Sequence, residues 1–299
     1  MANRKDRIKV LVVGGSSRAA RAFRRSLSES VDFHVTTLAR SPISDFPNET
    51  IIIADHFAPS AECFNGVDVI INFAGMTHGR ASAALFAVNA EGPKRLAEAA
   101  KRHGVRHFMQ LSSLHVYGLA ENISRSTPEN PHTEYGRSKL AADRALEAMS
   151  SDDFIVTLLR LPVLYGGGAG DNLRRLGQIM ARLGWFPVPH KLCERSVLHV
   201  NNLAAVLQEL VRCPARGVQF AADSEPLTLD TLAIAVADQF RRPIRLVVLP
   251  QFILLPLAAV SRSLYNRLYG GSFVAQTECI RMTSPNPVTL KEGLRDLFA

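Results

Sequence analysis

The sequence has little cysteine, and its four cysteines lie far apart. Cys63, Cys193, Cys213 and Cys279 form no CxxC pair. A disulfide framework or a structural zinc site needs closer or paired spacing, so neither is expected. We therefore predict reduced thiols in a cytoplasmic protein that binds no metal.

Long apolar runs are also missing. The most apolar stretch, residues 247–260, includes Pro250, Gln251 and Pro256, whereas a membrane-spanning helix needs about 20 apolar residues. The amino terminus lacks the apolar core of a signal peptide. Arginines flank the apolar stretch, which leaves contact with a membrane surface as an alternative. We expect instead a core helix or a packing arm of a C-terminal domain, and no stable membrane insertion.

Negative charge is the scarcer sign. The chain has 27 Asp and Glu residues against 35 Lys and Arg residues, which gives a formal net charge of +8. This balance suits an acidic partner, either a nucleotide, a nucleic acid or a lipid surface. Zinc-finger, homeodomain and aromatic RNA-binding signatures are absent from the sequence, so a nucleic-acid partner is not expected. Apolar residues make up 47% of the chain, which excludes wholesale disorder.

What the sequence does have is an alternation of short β-rich runs with helical patterns. The runs with strand character are residues 8–13, 33–38, 50–53, 67–73, 107–111 and 154–159. The helical patterns between them are residues 18–30, 82–102 and 135–149. Apolar strands separated by amphipathic helices are typical of a parallel sheet covered on both faces. We predict an α/β fold, with a Rossmann-type doubly wound parallel sheet over residues 1–165. A smaller, mainly substrate-binding lobe follows over residues 166–299, from which the chain can cross back to the sheet.

The first predicted strand runs into a turn of small residues, Gly14-Gly15-Ser16-Ser17, and a helix follows. A glycine turn in this position brings the pyrophosphate of a dinucleotide to the helix N-terminus. The spacing of Gly14, Ser17 and Ala20 fits a GxxGxxG loop that has small residues at its second and third glycine positions. The alternative is an ordinary turn without a ligand.

The second predicted strand ends at Ala39-Arg40, where an NAD site usually has a carboxylate that binds the ribose hydroxyls. Here no carboxylate stands, and Arg18 in the glycine loop adds a second guanidinium group. Guanidinium groups suit the phosphate monoester of NADPH. We therefore predict NADP(H) as the favoured cofactor. NAD(H) is the alternative, in which Arg40 is only a solvated charge.

Tyr135 and Lys139 are four residues apart in a predicted helix, so they share one of its faces. A nearby ammonium group favours the phenolate of a tyrosine, whose free pKa is about 10. Such a tyrosine can pass a proton to or from a substrate oxygen while a hydride moves at the neighbouring carbon. Ser113 ends the fifth predicted strand and could hold the same oxygen by a hydrogen bond. We predict Ser113, Tyr135 and Lys139 as the catalytic residues.

These residues and several further segments resemble the extended short-chain dehydrogenase/reductase family, in its NAD(P)-dependent nucleotide-sugar epimerase/dehydratase group. The segments occur in the family's order and are Asp68-Val-Ile-Ile-Asn-Phe-Ala-Gly75, Val88-Asn-Ala-Glu-Gly92, Leu159-Arg-Leu-Pro-Val-Leu-Tyr-Gly166 and Pro287-Val-Thr-Leu-Lys-Glu-Gly-Leu294. The resemblance covers essentially the whole chain. It implies an NAD(P)-dependent oxidoreductase of this fold.

The resemblance also assigns roles. It makes Tyr135 the acid/base, Lys139 the group that lowers the pKa of this tyrosine and binds the nicotinamide ribose, and Ser113 the group that orients the substrate oxygen. Asp55, at the end of the third strand, would lie beside the adenine. The predicted cofactor-binding residues are Gly14, Gly15, Ser17, Arg18, Arg40, Asp55, Ala74, Gly75 and Lys139.

The second half of the chain suggests the substrate through the same resemblance. Asn172 matches a family asparagine that contacts a nucleotide diphosphate, Phe186 lies in the counterpart of the strand along the nucleobase, and Arg195 would meet a phosphate. Thr77 and His78 follow the fourth strand and would contact the sugar. The predicted substrate-binding residues are Thr77, Ser113, Asn172, Phe186 and Arg195. The implied partner is a nucleotide diphosphate-sugar that carries UDP.

Three activities fit this assignment. The first, which Arg40 favours, is a 4-ketoreductase that reduces UDP-4-keto-6-deoxy-N-acetylhexosamine for polysaccharide precursor synthesis. The second is an NAD-dependent 4-epimerase, and the third is a non-catalytic NADP-binding sensor. A 4,6-dehydratase is less favoured, because Ser113-Leu114-His115 stands where that group commonly has an acidic pair. His115 is either a site residue or a packing residue. The resemblance also suggests a homodimer through the helices predicted at 82–102 and 135–149.

Overall fold

A computed structural model describes residues 7–77, 81–168, 171–282 and 284–298. Its strands are β1 (Ile8–Val13), β2 (Phe33–Ala39), β3 (Glu49–Ile53), β4 (Val69–Asn72), β5 (His107–Ser113), β6 (Asn122–Ile123), β7 (Ile155–Leu161), β8 (Val163–Tyr165), β9 (Trp185–Val188), β10 (Val197–His199), β11 (Gly217–Phe220), β12 (Arg245–Val248) and β13 (Phe273–Val274). Its α-helices are α1 (Arg18–Ser28), α2 (Ser82–Phe86), α3 (Gly92–Arg102), α4 (Glu134–Glu147), α5 (Asp171–Leu183), α6 (Val200–Arg212), α7 (Leu229–Phe240), α8 (Gln251–Val260), α9 (Arg262–Tyr269) and α10 (Leu290–Phe298).

Seven strands form one parallel sheet in the order β11-β7-β5-β4-β1-β2-β3. The strands are apolar on both faces because helices cover both. Val10 and Val12 of β1 pack in one core with α1 and α6, while Leu11 and Val13 pack in a second core with α3. This confirms the doubly wound sheet predicted from continuous apolar runs.

The helix predicted over residues 82–102 is interrupted. α2 and α3 are joined by a π-helical turn, Ala87–Glu91, which contains the buried Asn89. The Asn89 amide nitrogen donates to the Met76 carbonyl at 2.8 Å and to Ser138 Oγ at 3.0 Å, and its oxygen accepts from the Met76 N–H at 2.8 Å. The turn therefore ties the loop after β4 to α4. Such π-turns inside helices often occur at functional sites.

After β8, the chain leaves the sheet and later returns to it. α6 packs against α1, and β11 then adds to the edge of the sheet beside β7. The buried Asp223 follows this return and accepts hydrogen bonds from the Tyr165 hydroxyl at 2.7 Å and the Asn202 amide at 2.7 Å. A separate apolar core forms among α5, α7, α10 and the β9–β12 pair. A division of function at residue 165 stays a prediction.

α8 is not a fully buried core helix, and of the two expectations for this stretch the packing arm stays a prediction. Leu254 is buried, but Phe252 and Val260 are 70% and 86% exposed. In the described parts of the chain, no helix has the length and apolar character needed to cross a membrane. Among the same residues, no cluster of His, Cys, Asp or Glu side chains could hold a metal ion.

Candidate active site

The glycine turn between β1 and α1 has the form that a dinucleotide requires. Gly14 has a φ of +80°, and a Cβ there would lie 2.6 Å from the Ala74 nitrogen, so only glycine fits. The Ser17 side chain caps α1 by accepting from the Ala20 N–H at 3.1 Å. The first turn of α1 contains no acidic residue. Its backbone N–H groups and helix dipole therefore suit a pyrophosphate, and the fit to a dinucleotide is good.

The other predicted cofactor residues lie at the same edge of the sheet. The ends of β2 and β4 flank the end of β1, where Val13 pairs with Leu38 and Asn72. Of the predicted cofactor residues, Arg18, Arg40, Asp55 and Gly75 are exposed, and Ala74 is buried. In doubly wound sheets, ligands bind at this edge, where the strand order reverses.

A buried ion pair that the sequence analysis missed supports the glycine turn. Arg24 and Glu49 have side chains only 2% exposed, and the guanidinium donates to both carboxylate oxygens at 2.5 and 2.7 Å. Arg24 also donates to the Gly15 carbonyl at 3.0 Å and to the Ser44 carbonyl at 2.7 Å. The pair thus joins the turn to the loop after β2. A signal was present, because Arg24 falls on the apolar face of α1, one residue after Phe23 and three before Leu27.

Ser113, Tyr135 and Lys139 lie together beside Gly75. Ser113 ends β5, while Tyr135 stands in the first turn of α4 and is hydrogen-bonded by Ser113. The Lys139 ammonium lies 6.0 Å from the centre of the Tyr135 ring and donates to the Leu111 carbonyl at 2.9 Å. A Cβ on Gly75 would lie 3.4 Å from Lys139 Nζ. Lys139 therefore faces the space that Gly75 leaves open.

Burial dominates the protonation of this trio. It raises the pKa of Tyr135 above its ordinary value of 10, and the hydrogen bond with Ser113 acts in the opposite direction. Burial also lowers the pKa of Lys139 to about 8, while the charge of Asp143 opposes that shift. The expectation that Lys139 brings the pKa of Tyr135 below 10 is not met in this structure. The physical reason is desolvation of the phenol, together with an ammonium that is directed to the Leu111 carbonyl.

His115 belongs to the site rather than to the core. Its Nδ1 lies 3.1 Å from Ser113 Oγ, and its ring meets the Tyr135 ring edge-on at 5.4 Å between centroids. The side chain is exposed to the cleft, while the surrounding protein lowers its pKa below 6.5 by desolvation. His115 is therefore a polar neighbour of Ser113 Oγ and of the Tyr135 ring. The sequence analysis had left its role open.

Asp143 is a second group that the sequence analysis missed. It lies one turn after Lys139 in α4 and accepts from Ser112 Oγ at 2.9 Å and from Arg160 Nε at 3.0 Å. Burial raises its pKa to about 6, against the opposing charge of Arg160. Arg160 in turn donates to the Tyr117 hydroxyl at 2.6 Å. This buried network fixes α4, and hence Lys139, against the ends of β5 and β7.

The predicted substrate residues are more dispersed. Asn172 is exposed near the start of α5, Phe186 is buried in β9, and Thr77 is exposed after β4. His78 lies outside the described residues. The roles of these residues stay predictions.

The Arg195 side chain lies deeper than that of an arginine that is free to bind a phosphate. It lines a largely apolar pocket together with Leu173, Leu192 and Tyr269. Its guanidinium donates to the Gly270 carbonyl at 2.5 Å and to the Asn266 carbonyl at 2.7 Å. It therefore anchors the C-terminal end of α9 in this structure. Contact between Arg195 and a phosphate stays a prediction.

Comparison with known proteins shows the family of this chain. Residues 10–218 match the NAD dependent epimerase/dehydratase family. A ceramide reductase from Caulobacter vibrioides is 27% identical over 219 residues, which are 72% of this chain and 64% of that protein. A UDP-glucose 4-epimerase from Vibrio cholerae is 27% identical over 193 residues, which are 62% of this chain and 56% of that protein. The chain thus spans less than two thirds of either curated relative.

Solved structures share the fold. MoeE5 in complex with UDP-glucose and NAD superposes with a TM-score of 0.73 and 20% identity, over 97% of both chains. This likeness shows that the fold is shared, and the family match covers residues 10–218, which include the glycine turn and the seven strands of the sheet from Val10 of β1 to Val218 of β11. The chain belongs to the NAD-dependent epimerase/dehydratase family.

Proposed function

We propose that this protein is an NADP(H)-preferring 4-ketoreductase that acts on a nucleotide diphosphate-sugar. The observation that carries the proposal is the grouping of Ser113, Tyr135 and Lys139 beside Gly75 and the glycine turn. A non-catalytic sensor would have no need of a complete trio, so this grouping favours an enzyme.

The trio can protonate a keto oxygen. We assign Ser113 Oγ and the Tyr135 hydroxyl as the donors of hydrogen bonds to this oxygen. A nicotinamide cofactor, when bound, supplies the hydride. Because burial raises the pKa of Tyr135, its phenol is protonated at neutral pH, which is the state that reduction of a ketone requires. The Lys139 ammonium then stabilises the phenolate that remains after Tyr135 gives up its proton.

The preference for NADP(H) rests on charge at the end of β2. Arg40 is exposed there, Arg18 begins α1, and neither Ala39 nor Arg40 supplies the carboxylate that would bind ribose hydroxyls. A phosphate monoester gains charge-assisted hydrogen bonds in such a place. The family description and the MoeE5 complex refer to NAD, so the preference is a property proposed for this chain alone.

The substrate class rests on the relatives and on the predicted residues of the second half. The names UDP-glucose 4-epimerase and MoeE5 in complex with UDP-glucose describe proteins that handle UDP-sugars. We extend this class to the present chain, with Asn172 and Arg195 at the diphosphate. The reaction proposed is reduction of UDP-4-keto-6-deoxy-N-acetylhexosamine to its 4-hydroxy product.

A 4-epimerase is the second candidate, and the names of two relatives favour it. One is the Vibrio cholerae enzyme, and the other is an N-acetyl-alpha-D-glucosaminyl-diphospho-ditrans,octacis-undecaprenol 4-epimerase from Escherichia coli O157:H7, 23% identical over 229 residues. An epimerase oxidises and reduces the same carbon and regenerates its cofactor at every turnover. Net consumption of reduced cofactor therefore separates the two candidates.

The test measures NADPH oxidation by the purified protein given UDP-4-keto-6-deoxy-N-acetylhexosamine, with NADH in a parallel assay. Oxidation of one NADPH for each reduced sugar supports the ketoreductase. Release of NAD on denaturation, together with interconversion of UDP-sugar 4-epimers without net oxidation, replaces it by the epimerase. If no assay shows consumption of the keto sugar or interconversion of the epimers, both candidate activities are overturned.

A further inference from the structure

The side of α8 that faces solvent is apolar. Phe252, Pro256 and Val260 stand at i, i+4 and i+8, so they form one stripe, and all three are exposed. Ile253 is 49% exposed beside them, while Leu254 packs into the lobe. From Phe252 to Val260 the sequence contains no polar residue. A helix of a globular protein normally buries such a stripe.

Exposed apolar side chains also occur on the β9–β12 pair, which precedes α8 in the chain. Trp185 pairs with Arg245 in this two-stranded sheet, and Trp185, Val247 and Val248 are 46%, 39% and 57% exposed. β12 leads directly into α8 through a two-residue link. Successive strand residues point to opposite faces, so Trp185 shares its face with Val247. We call the exposed apolar side chains of the two elements the apolar face, and its members are Trp185, Val247, Phe252, Ile253, Pro256 and Val260. Exposed large apolar side chains that are concentrated in neighbouring segments are typical of an interaction site.

The chain segments that build this face also contain the excess positive charge of the protein. Residues 172–193 and 239–277 include nine Arg and Lys residues and no Asp or Glu. These residues are Arg174, Arg175, Arg182, Lys191, Arg241, Arg242, Arg245, Arg262 and Arg267. Since the net charge of the whole chain is +8, the rest of the chain is close to neutral. The exposed members next to the face include Arg182, Arg241 and Arg245.

Charge and apolarity together select the occupant. A second copy of this chain in a two-fold interface would bring the same cations against themselves, which is unfavourable. A nucleic acid would meet the arginines but would leave the Phe252 stripe in water. The headgroups of an anionic bilayer attract the arginines while its acyl chains accept the apolar side chains. We propose that the apolar face docks on an anionic lipid bilayer, with α8 lying in the plane of the interface.

Docking would bring the Arg195 pocket near the bilayer. α9 follows α8 after Ser261, and Tyr269 at its end lines that pocket. The carbonyls of Asn266 and Gly270 are held by Arg195, so α9 connects the two features. The proposal does not depend on which reaction the trio performs.

The experiment is flotation of the full-length protein with vesicles, either pure phosphatidylcholine or phosphatidylcholine with 30% phosphatidylglycerol. The wild type is expected to float with the anionic vesicles only, and 0.5 M NaCl should reduce the bound fraction severalfold. The double variant Phe252→Ser/Val260→Ser and the double variant Arg241→Gln/Arg245→Gln should each lower the bound fraction at least tenfold. Their thermal unfolding should match the wild type, because these side chains are exposed.

A matched control removes exposed apolar side chains elsewhere. Val31 and Ile53 are 76% and 51% exposed and lie in the sheet domain, so Val31→Ser/Ile53→Ser should float like the wild type. The proposal is overturned if the wild type does not bind anionic vesicles, or if the control loses binding equally. It is also overturned if Phe252→Ser/Val260→Ser dissociates a dimer but floats like the wild type. A third contrary result is that only the arginine variant loses vesicle binding and that it also loses binding to single-stranded DNA.

Discussion

Two regions of this molecule treat charge in opposite ways. Beside the glycine turn, the Arg24–Glu49 pair is buried, and both side chains are 2% exposed. In the β9–β12–α8 region, apolar groups such as Phe252 and Val260 are exposed, and the charges are all of one sign. Buried, paired side chains hold neighbouring atoms in the positions that chemistry requires. Exposed apolar side chains are instead available for contact with another molecule or a membrane. Matched changes in the two regions should therefore have unequal effects.

The largest expected effect is on turnover. Tyr135→Phe removes the proposed acid, and the reduction rate should fall by about a thousandfold, since general acid catalysis contributes roughly 10²- to 10⁴-fold. Cofactor affinity, measured by fluorescence titration, should change little. Tyr265→Phe, which removes a hydroxyl in α9, should leave the rate unchanged. Retained turnover in Tyr135→Phe would remove this residue from the mechanism.

The next effect concerns stability. Glu49→Gln leaves the buried Arg24 guanidinium without its counter-charge, so the free energy of unfolding should fall by about 3 kcal/mol. Arg245→Gln changes an exposed side chain of the other region and should stay within about 0.5 kcal/mol. Urea titrations of the two variants measure both values. Equal losses of unfolding free energy in the two variants would contradict the expected difference between a buried, paired charge and an exposed one.

The third effect is a pH dependence that arises in the sheet. His107 is buried in β5, and its Nε2 lies 2.8 Å from Thr157 Oγ1, whose hydroxyl donates to the Ala215 carbonyl. Nε2 therefore donates to Thr157, and the buried Nδ1 has no partner among the described residues. Burial lowers the pKa of His107 to about 4. The folded state thus binds this proton less readily than the unfolded state, where the pKa is about 6.5.

The sign follows from this difference. Stability from a neutral His107 is present above pH 6.5 and is lost as the pH falls towards 4. Between pH 7 and pH 5, the free energy of unfolding of the wild type should drop by about 2 kcal/mol relative to His107→Gln. Using the difference between the two proteins cancels the opposite trend that the raised pKa of Asp143 produces. A constant difference across this pH range would contradict the assignment.

The smallest effect sharpens the cofactor preference. Arg40→Ala should raise the Kd of NADPH about tenfold, the loss of one charge-assisted contact, and that of NADH less than twofold. Isothermal titration with both cofactors measures the two changes. Equal changes for both would show that Arg40 has no contact with the 2′-phosphate.

Much of the fold could be predicted because its signals are local. Apolar runs bounded by helical patterns predicted β1 with its bounds unchanged and the other five strands within two residues at each end. The predicted catalytic residues were found together, because Ser113 ends a strand and Tyr135 begins a helix at the same edge of the sheet. The carboxyl ends of the strands in a parallel sheet lie at one edge, so residues that follow different strands come close together in space.

The remaining features depend on contacts between distant residues. A π-helical turn adds one residue to a helix without changing its composition, so the inward position of Asn89 could not be predicted from periodicity. The Arg24–Glu49 pair joins residues that are 25 positions apart, so the apolar face of α1 indicates that Arg24 is buried but does not identify its partner. Apolar composition at 247–260 indicated burial, but composition cannot tell whether the rest of the chain provides enough surface to cover both sides of α8.

The return of the chain to the sheet has a consequence for synthesis on the ribosome. β7 ends at Leu161, and its partner β11 ends only at Phe220. Translation adds about 5 to 20 residues per second, so β7 remains an open edge strand for roughly 3 to 12 s before β11 is complete. Open edges invite pairing with other chains. The nascent protein is therefore vulnerable to aggregation after β7 has emerged and before α6 and β11 have followed.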